Sequence, residues 1–103
     1  MTSKTIKTSA GEPYGHVPGH SYHDVDCVLR PSRHGGWLCT LTETWGSCQG
    51  YDEEHGRTKY SGSGGSPAAA CREAVASIPT AEESTRRYAR TATAEAIEEA
   101  EKE

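Results

Sequence analysis

Phenylalanine is absent from the 103 residues, and only 33% of them are hydrophobic. A chain of this size is expected to form one domain with a modest core and loosely packed ends. So small a core usually needs help from zinc, disulfides or self-association. No apolar run approaches the length of a membrane span. The opening "MTSKTIKTSAGEPYG" also lacks the hydrophobic segment of a secretory signal. The expectation is therefore a cytoplasmic chain with reduced thiols and no membrane partner. A basic excess is missing too. The net charge is −4, and residues 1–78 carry 7 Lys/Arg against 8 Asp/Glu, residues 79–103 4 against 7. Dedicated nucleic-acid binders draw affinity from neutralising phosphates, so this balance disfavours nucleic acid as a partner. There is no Cys-x-x-Cys pair and no internal repeat.

What is present divides into three parts. Residues 1–22, polar and rich in His, Gly and Pro, read as a flexible arm. Residues 23–78 read as a β-β-β-α core. In "HDVDCVLRP", Val25, Cys27 and Leu29 alternate with polar neighbours. After "SRHGG", "WLCTLTETW" places Trp37, Cys39 and Leu41 on one face and Thr40, Thr42 and Thr44 on the other. Strict alternation predicts two half-buried strands joined as a hairpin, with Cys27 roughly opposite Cys39. "GSCQGYDEEHG" reads as a polar connection, and "RTKYSGS" as a short third strand with Thr58 and Tyr60 on one face. The glycines at 62, 64 and 65 read as a turn with positive φ values. Ser66 then serves as N-cap and Pro67 as first helical residue. Ala70, Cys71, Ala74, Val75 and Ile78 fall on one buried stripe, and Pro79 ends the helix.

Residues 79–103 predict an acidic C-terminal helix opening on a Thr80–Glu83 capping box. The fold class is thus α+β: a three-stranded antiparallel sheet packed by one helix, plus the C-terminal helix.

The order of elements over residues 24–78, with Gly62, Gly64, Ser66, Ala70 and Ala74 at their spacing, resembles the double-stranded-RNA-binding domain. The lysines that family sets on phosphates have no counterpart, since Pro67 and Ala68 follow Ser66. "GGWLC" and "SPAAA" are similar to the arm-binding domain of tyrosine integrases, and the Gly-rich third strand to HicB antitoxins. These resemblances imply a ββ-βα fold. They transfer no function. Read from the residues themselves, the alternative function is a DNA- or RNA-binding module using Arg30, Arg33, Arg57 and Lys59 beside Trp37 and Tyr60.

Two constellations carry chemistry. His16, His20, His23 and Cys27 lie within twelve residues and offer the imidazole and thiolate donors that zinc takes. Against that, Cys27 and Cys39 already serve the buried face as small hydrophobes, so no cofactor is expected. Cys48, Asp52 and His55 include the residue types of thiol chemistry, but nothing in their spacing fixes a nucleophile beside a base. An enzyme is not expected. The expected function is a small interaction or regulatory protein, of the kind phages and mobile elements carry, that engages a protein partner or a second copy. Its sheet face or its acidic C-terminal helix, with the thin stripe of Tyr88, Ala92, Ala96 and Ile97, would make the contact.

Overall fold

A computed structural model describes residues 5–12, 22–49 and 52–102. The described residues form one antiparallel sheet of four strands in sequential order: β1 (Ile6–Glu12), β2 (Tyr22–Pro31), β3 (Trp37–Gln49) and β4 (Asp52–Gly64). Two helices follow, α1 (Pro67–Ala76) and α2 (Glu83–Glu101). The class is α+β, but the sheet has one strand more than the alternation pattern reveals. That strand, "IKTSAGE", lies inside the stretch that reads as an arm. It has a single large aliphatic residue, Ile6, which is buried. Pairing supplies the rest of its stability, from Ile6 opposite Leu29 to Glu12 opposite His23.

The predicted hairpin is present, turned by Ser32–Gly36, where Gly35 and Gly36 take positive φ and Ser32 N–H donates to the Gly36 carbonyl at 2.9 Å. Its register sets Cys27 opposite Leu41 and Leu29 opposite Cys39, so the two cysteines are diagonal neighbours. The alternation holds beyond its expected end. Trp37, Cys39, Leu41, Glu43 and Trp45 share the face under the helices. "GSCQGYDEEHG" is mostly ladder and not connection, with Gln49 paired to Asp52. Continued pairing overrides the weak strand propensity of that segment.

α1 lies over β4 and β3, and α2 over β1 and β2. Ser66 caps α1 as expected, its hydroxyl accepting from Ala69 N–H at 3.2 Å. α2 begins later than the capping box implies, at Glu83, with Thr80 and Ala81 in a preceding turn and no side-chain cap. Its buried face is Thr85, Ala89, Ala92, Thr93 and Ala96. The threonines there hide their hydroxyls: Thr93 donates to the Ala89 carbonyl at 2.8 Å. From β1, Thr8 donates to the Ala92 carbonyl at 2.6 Å.

The core contains Ile6, Val25, Leu29, Leu41 and Ile78 as its larger aliphatic side chains; the remainder is alanine and cysteine. Small side chains let the helices approach closely. Gly62 and Gly64 do not turn the chain with positive φ; both lie in β4. A methyl on Gly62 would stand 2.7 Å from the Ala70 carbonyl oxygen, and one on Gly64 2.6 Å from Ala69 Cβ. These glycines supply space for α1, not backbone freedom. No helix among the described residues is long and apolar enough to cross a membrane.

Candidate functional site

At the end of the sheet remote from the Ser32–Gly36 turn, the alternation of β3 brings an acid onto the helix-facing side. Glu43 is buried, 6% exposed, where the pattern calls for an apolar residue. Burial of a carboxylate is costly unless it is hydrogen-bonded. Two donors meet it. His23 on β2 approaches Glu43 Oε2 through Nε2 at 2.7 Å, and the fully buried Thr85 hydroxyl on α2 donates to the same oxygen. Thr85 Oγ1 lies 3.2 Å from His23 Nε2. With Nε2 protonated, both groups donate to the carboxylate. Tyr88 packs edge-on against the imidazole, ring centroids 5.2 Å apart, and holds its plane.

His23 and Glu43 of this network line an open pocket of about 570 Å³. Its walls are aromatic: Tyr22, Trp45 and Tyr60, with Glu82 as a second carboxylate. Two glycines make the walls. Gly46 is paired with Tyr22 and Gly56 with Trp45, and a methyl on either would run into its partner's ring, 2.7 Å from Tyr22 Cζ and 2.6 Å from Trp45 Nε1. The rings therefore lie on bare backbone. Trp45 stays 39% exposed, the exposed large hydrophobic residue among those described. The Tyr60 phenol is pushed above its ordinary pKa by burial first, then by the carboxylates of Glu43 and Glu82.

Of the residues expected to bind metal, His23 and Cys27 are not brought together. His16 and His20 lie outside the described residues. His23 belongs to the pocket, and Cys27, four residues along β2, is about 13 Å away in the core. Cys27 instead meets Cys39, with Sγ atoms 3.7 Å apart, and Cys71 of α1. Hydrogen bonds from Cys39, then Cys71, hold the Cys27 thiol well below its ordinary range, against the opposing effect of burial. The bond to Cys27 pushes Cys71 up to about 12, and Cys39 is also raised.

The expected nucleic-acid residues are divided. Arg30 and Arg33 line a hollow beside the β2–β3 turn. Arg57 and Lys59 stand on β4, with Lys59 sharing a row with Thr42 and Asp26. From Arg30 to Lys59 is roughly 16 Å by strand spacing and rise, and Asp24 and Asp26 flank the basic pair across the sheet. Of the expected partner-binding residues, Ala92 and Ala96 are buried against the sheet, while Tyr88 and Ile97 pack partly buried on the core. Cys48, Asp52 and His55 have side chains outside the described set.

Glu43 and Thr85 escape sequence reading because each sits in a pattern that assigns it elsewhere: an acid among strand threonines, a hydroxyl on a charged helix. The usable signal was parity. Glu43 continues the odd-numbered series of Trp37, Cys39 and Leu41. Compared with models of protein families, with curated proteins and with solved structures, the chain matches none.

Proposed function

We propose that the chain is a non-enzymatic binding protein that takes a cationic side chain of a protein partner, a lysine, methylated lysine or arginine, into the Tyr22/Trp45/Tyr60 pocket. One observation supports this most: two carboxylates, Glu43 and Glu82, and three aromatic rings line one open pocket whose basic lining residue is His23 alone. Aromatic faces attract cations by about 0.5–2 kcal/mol each, and more when water is excluded. The net charge of −4 steers basic partners in the same sense. The network favours binding over catalysis. Thr85 is fully buried and donates to Glu43, and His23 Nε2 is engaged by the same carboxylate, so neither of these two atoms is free to act as nucleophile or base.

The test is a titration of Trp fluorescence with basic peptides containing lysine, trimethyl-lysine or arginine, against an acidic peptide as control. Saturable binding of a basic peptide, weakened about tenfold by Trp45→Ala, is the expected result. Equal affinity for basic and acidic peptides would refute the reading. Salt-sensitive binding of duplex RNA or DNA, flattened by reversing Arg57 and Lys59, would favour the nucleic-acid reading in its place.

A second reading, self-association through the open sheet face, rests on the register. Cross-strand rows run Arg30–Leu38–Ser63, Val28–Thr40–Ser61, Asp26–Thr42–Lys59 and Asp24–Thr44–Arg57. An acidic stripe on β2 and a basic stripe on β4 thus flank a threonine stripe on β3. A two-fold axis along β3 lays each acidic stripe on the other copy's basic stripe, row for row, in the aligned packing of two sheets. Asp24 supports this. Its carboxyl is raised by burial first and Asp26 second, with His23 lowering it. The folded monomer therefore holds that proton more tightly than the unfolded chain and loses stability as pH rises through its titration. A facing Arg57 would relieve the loss. Sedimentation should show a dimer that Arg57→Glu/Lys59→Glu dissociates and that added Asp24→Lys/Asp26→Lys restores. A monomer at all concentrations would dismiss the face as an interface.

A further inference from the structure

The three buried cysteines have no part in the pocket, and they converge from separate elements. Cys27 comes from β2, Cys39 from β3 and Cys71 from α1, and their sulfurs all lie within 4.8 Å of one another. Each is at most 1% exposed. Cysteine also serves as a small hydrophobe in cores, and that alone would account for one such residue or two. Three sulfurs in mutual reach at the centre of a core this poor in large side chains amount to a donor set.

The spacing suits a single ion. A metal–sulfur bond of about 2.3 Å puts the sulfurs of a trigonal set about 4 Å apart, and the Cys27–Cys39 pair already stands at 3.7 Å. We infer that Cys27, Cys39 and Cys71 form a binding site for one thiophilic metal ion held by three sulfurs, of the class of cuprous copper. Sulfur donors select soft ions, cuprous copper and zinc above all. Coordination number decides between them. Structural zinc closes its shell with a fourth protein ligand, and three-ligand zinc keeps a water. Among the described residues the cluster has no fourth His, Cys, Asp or Glu, and each of its cysteines is at most 1% exposed. Three-coordinate cuprous copper needs neither.

The site also answers a structural need. It ties α1 to β2 and β3 where the packing is alanine and glycine, so binding adds to folding stability directly. The ion enters while α1 is undocked, since the folded sulfurs are covered.

The experiment uses the full chain carrying Cys48→Ser, so that only the three core thiols report, reduced and stripped of metal under anaerobic conditions. Cuprous ion and Zn(II) are added separately, and each is followed by native mass spectrometry, near-ultraviolet sulfur-to-metal absorption and thermal melting. The expected result is one cuprous ion per chain, a melting temperature that rises up to one equivalent and no further, and loss of the absorption band in Cys71→Ala. Three outcomes would overturn the inference: no cuprous ion retained by the parent chain, Zn(II) retained in preference to it, or full retention by Cys71→Ala. The parent-chain measurement stands whether or not the Cys71→Ala chain folds.

Discussion

Gly62→Ala is expected to lower folding stability by about 3 kcal/mol, the upper end for overpacking a tight interior, and the melting temperature by roughly 15 °C for a domain of this length. The usual consequence of replacing glycine runs the other way. Where the backbone conformation is ordinary, alanine restricts the unfolded chain and stabilises by about 0.4–1 kcal/mol. Gly62 has no positive φ, so that gain is available. What opposes it is space: a methyl there would lie 2.7 Å from the Ala70 carbonyl oxygen and 2.8 Å from the Glu73 carbonyl carbon. Both are helix backbone, which cannot rotate aside as a side chain can. α1 would have to lift from the sheet, exposing Ala70, Cys71 and Ala74.

Gly65, three residues on, separates the two effects. It has ordinary φ and nothing within 4 Å of the site of a methyl. Gly65→Ala should be neutral or slightly stabilising. Denaturant unfolding of both variants decides the matter. If the two lie within about 0.5 kcal/mol of each other, the ordinary scatter of surface changes, helix–strand closeness is not what these glycines provide.

The same segment shows what was legible in the sequence and what was not. "SGSGGSPAAA" announced strand, break and capped helix, because capping is local chemistry: Ser66 and Pro67 act within one turn. Composition assigns its glycines to a turn, since it cannot distinguish a residue that needs freedom from one that needs room. Two strands were legible from alternation, which a one-sided sheet imposes on every residue. β1 is not, having only Ile6 to mark it and its stability in pairings from Glu12 with His23 to Ile6 with Leu29, distant in sequence. The candidate pocket was harder still. The sequence marks His23 only as one member of a His/Cys-rich stretch. Its actual partners, Glu43 and Thr85, come from β3 and α2. Only tertiary packing brings them together. The helical stripe marks Tyr88 as an apolar contact, without showing that its ring packs against His23.

Glu43 carries the second large effect, and two substitutions divide its roles. Glu43→Ala removes the acceptor for both His23 and Thr85. His23 is partly exposed, its side chain at 25%, and can find water. Thr85 is fully buried and cannot. An abandoned buried hydroxyl costs about 1–3 kcal/mol, and the missing methylenes add a cavity. The variant should unfold about 3 kcal/mol more easily and bind no basic peptide. Glu43→Gln preserves shape. Its amide oxygen can accept from both donors, as Glu43 Oε2 does, with the amide nitrogen turned away from them. Stability should stay within about 1 kcal/mol of the parent. The charge is gone, however, and the pocket keeps only Glu82. Affinity for a cationic peptide should then fall at least about tenfold, equivalent to 1.4 kcal/mol, most clearly at low salt where attraction is least screened. Calorimetric titration beside thermal unfolding measures both quantities on one sample. Unchanged affinity in Glu43→Gln would mean that the carboxylate serves only to anchor α2 to the sheet, and that cation recognition belongs to the aromatic walls and Glu82.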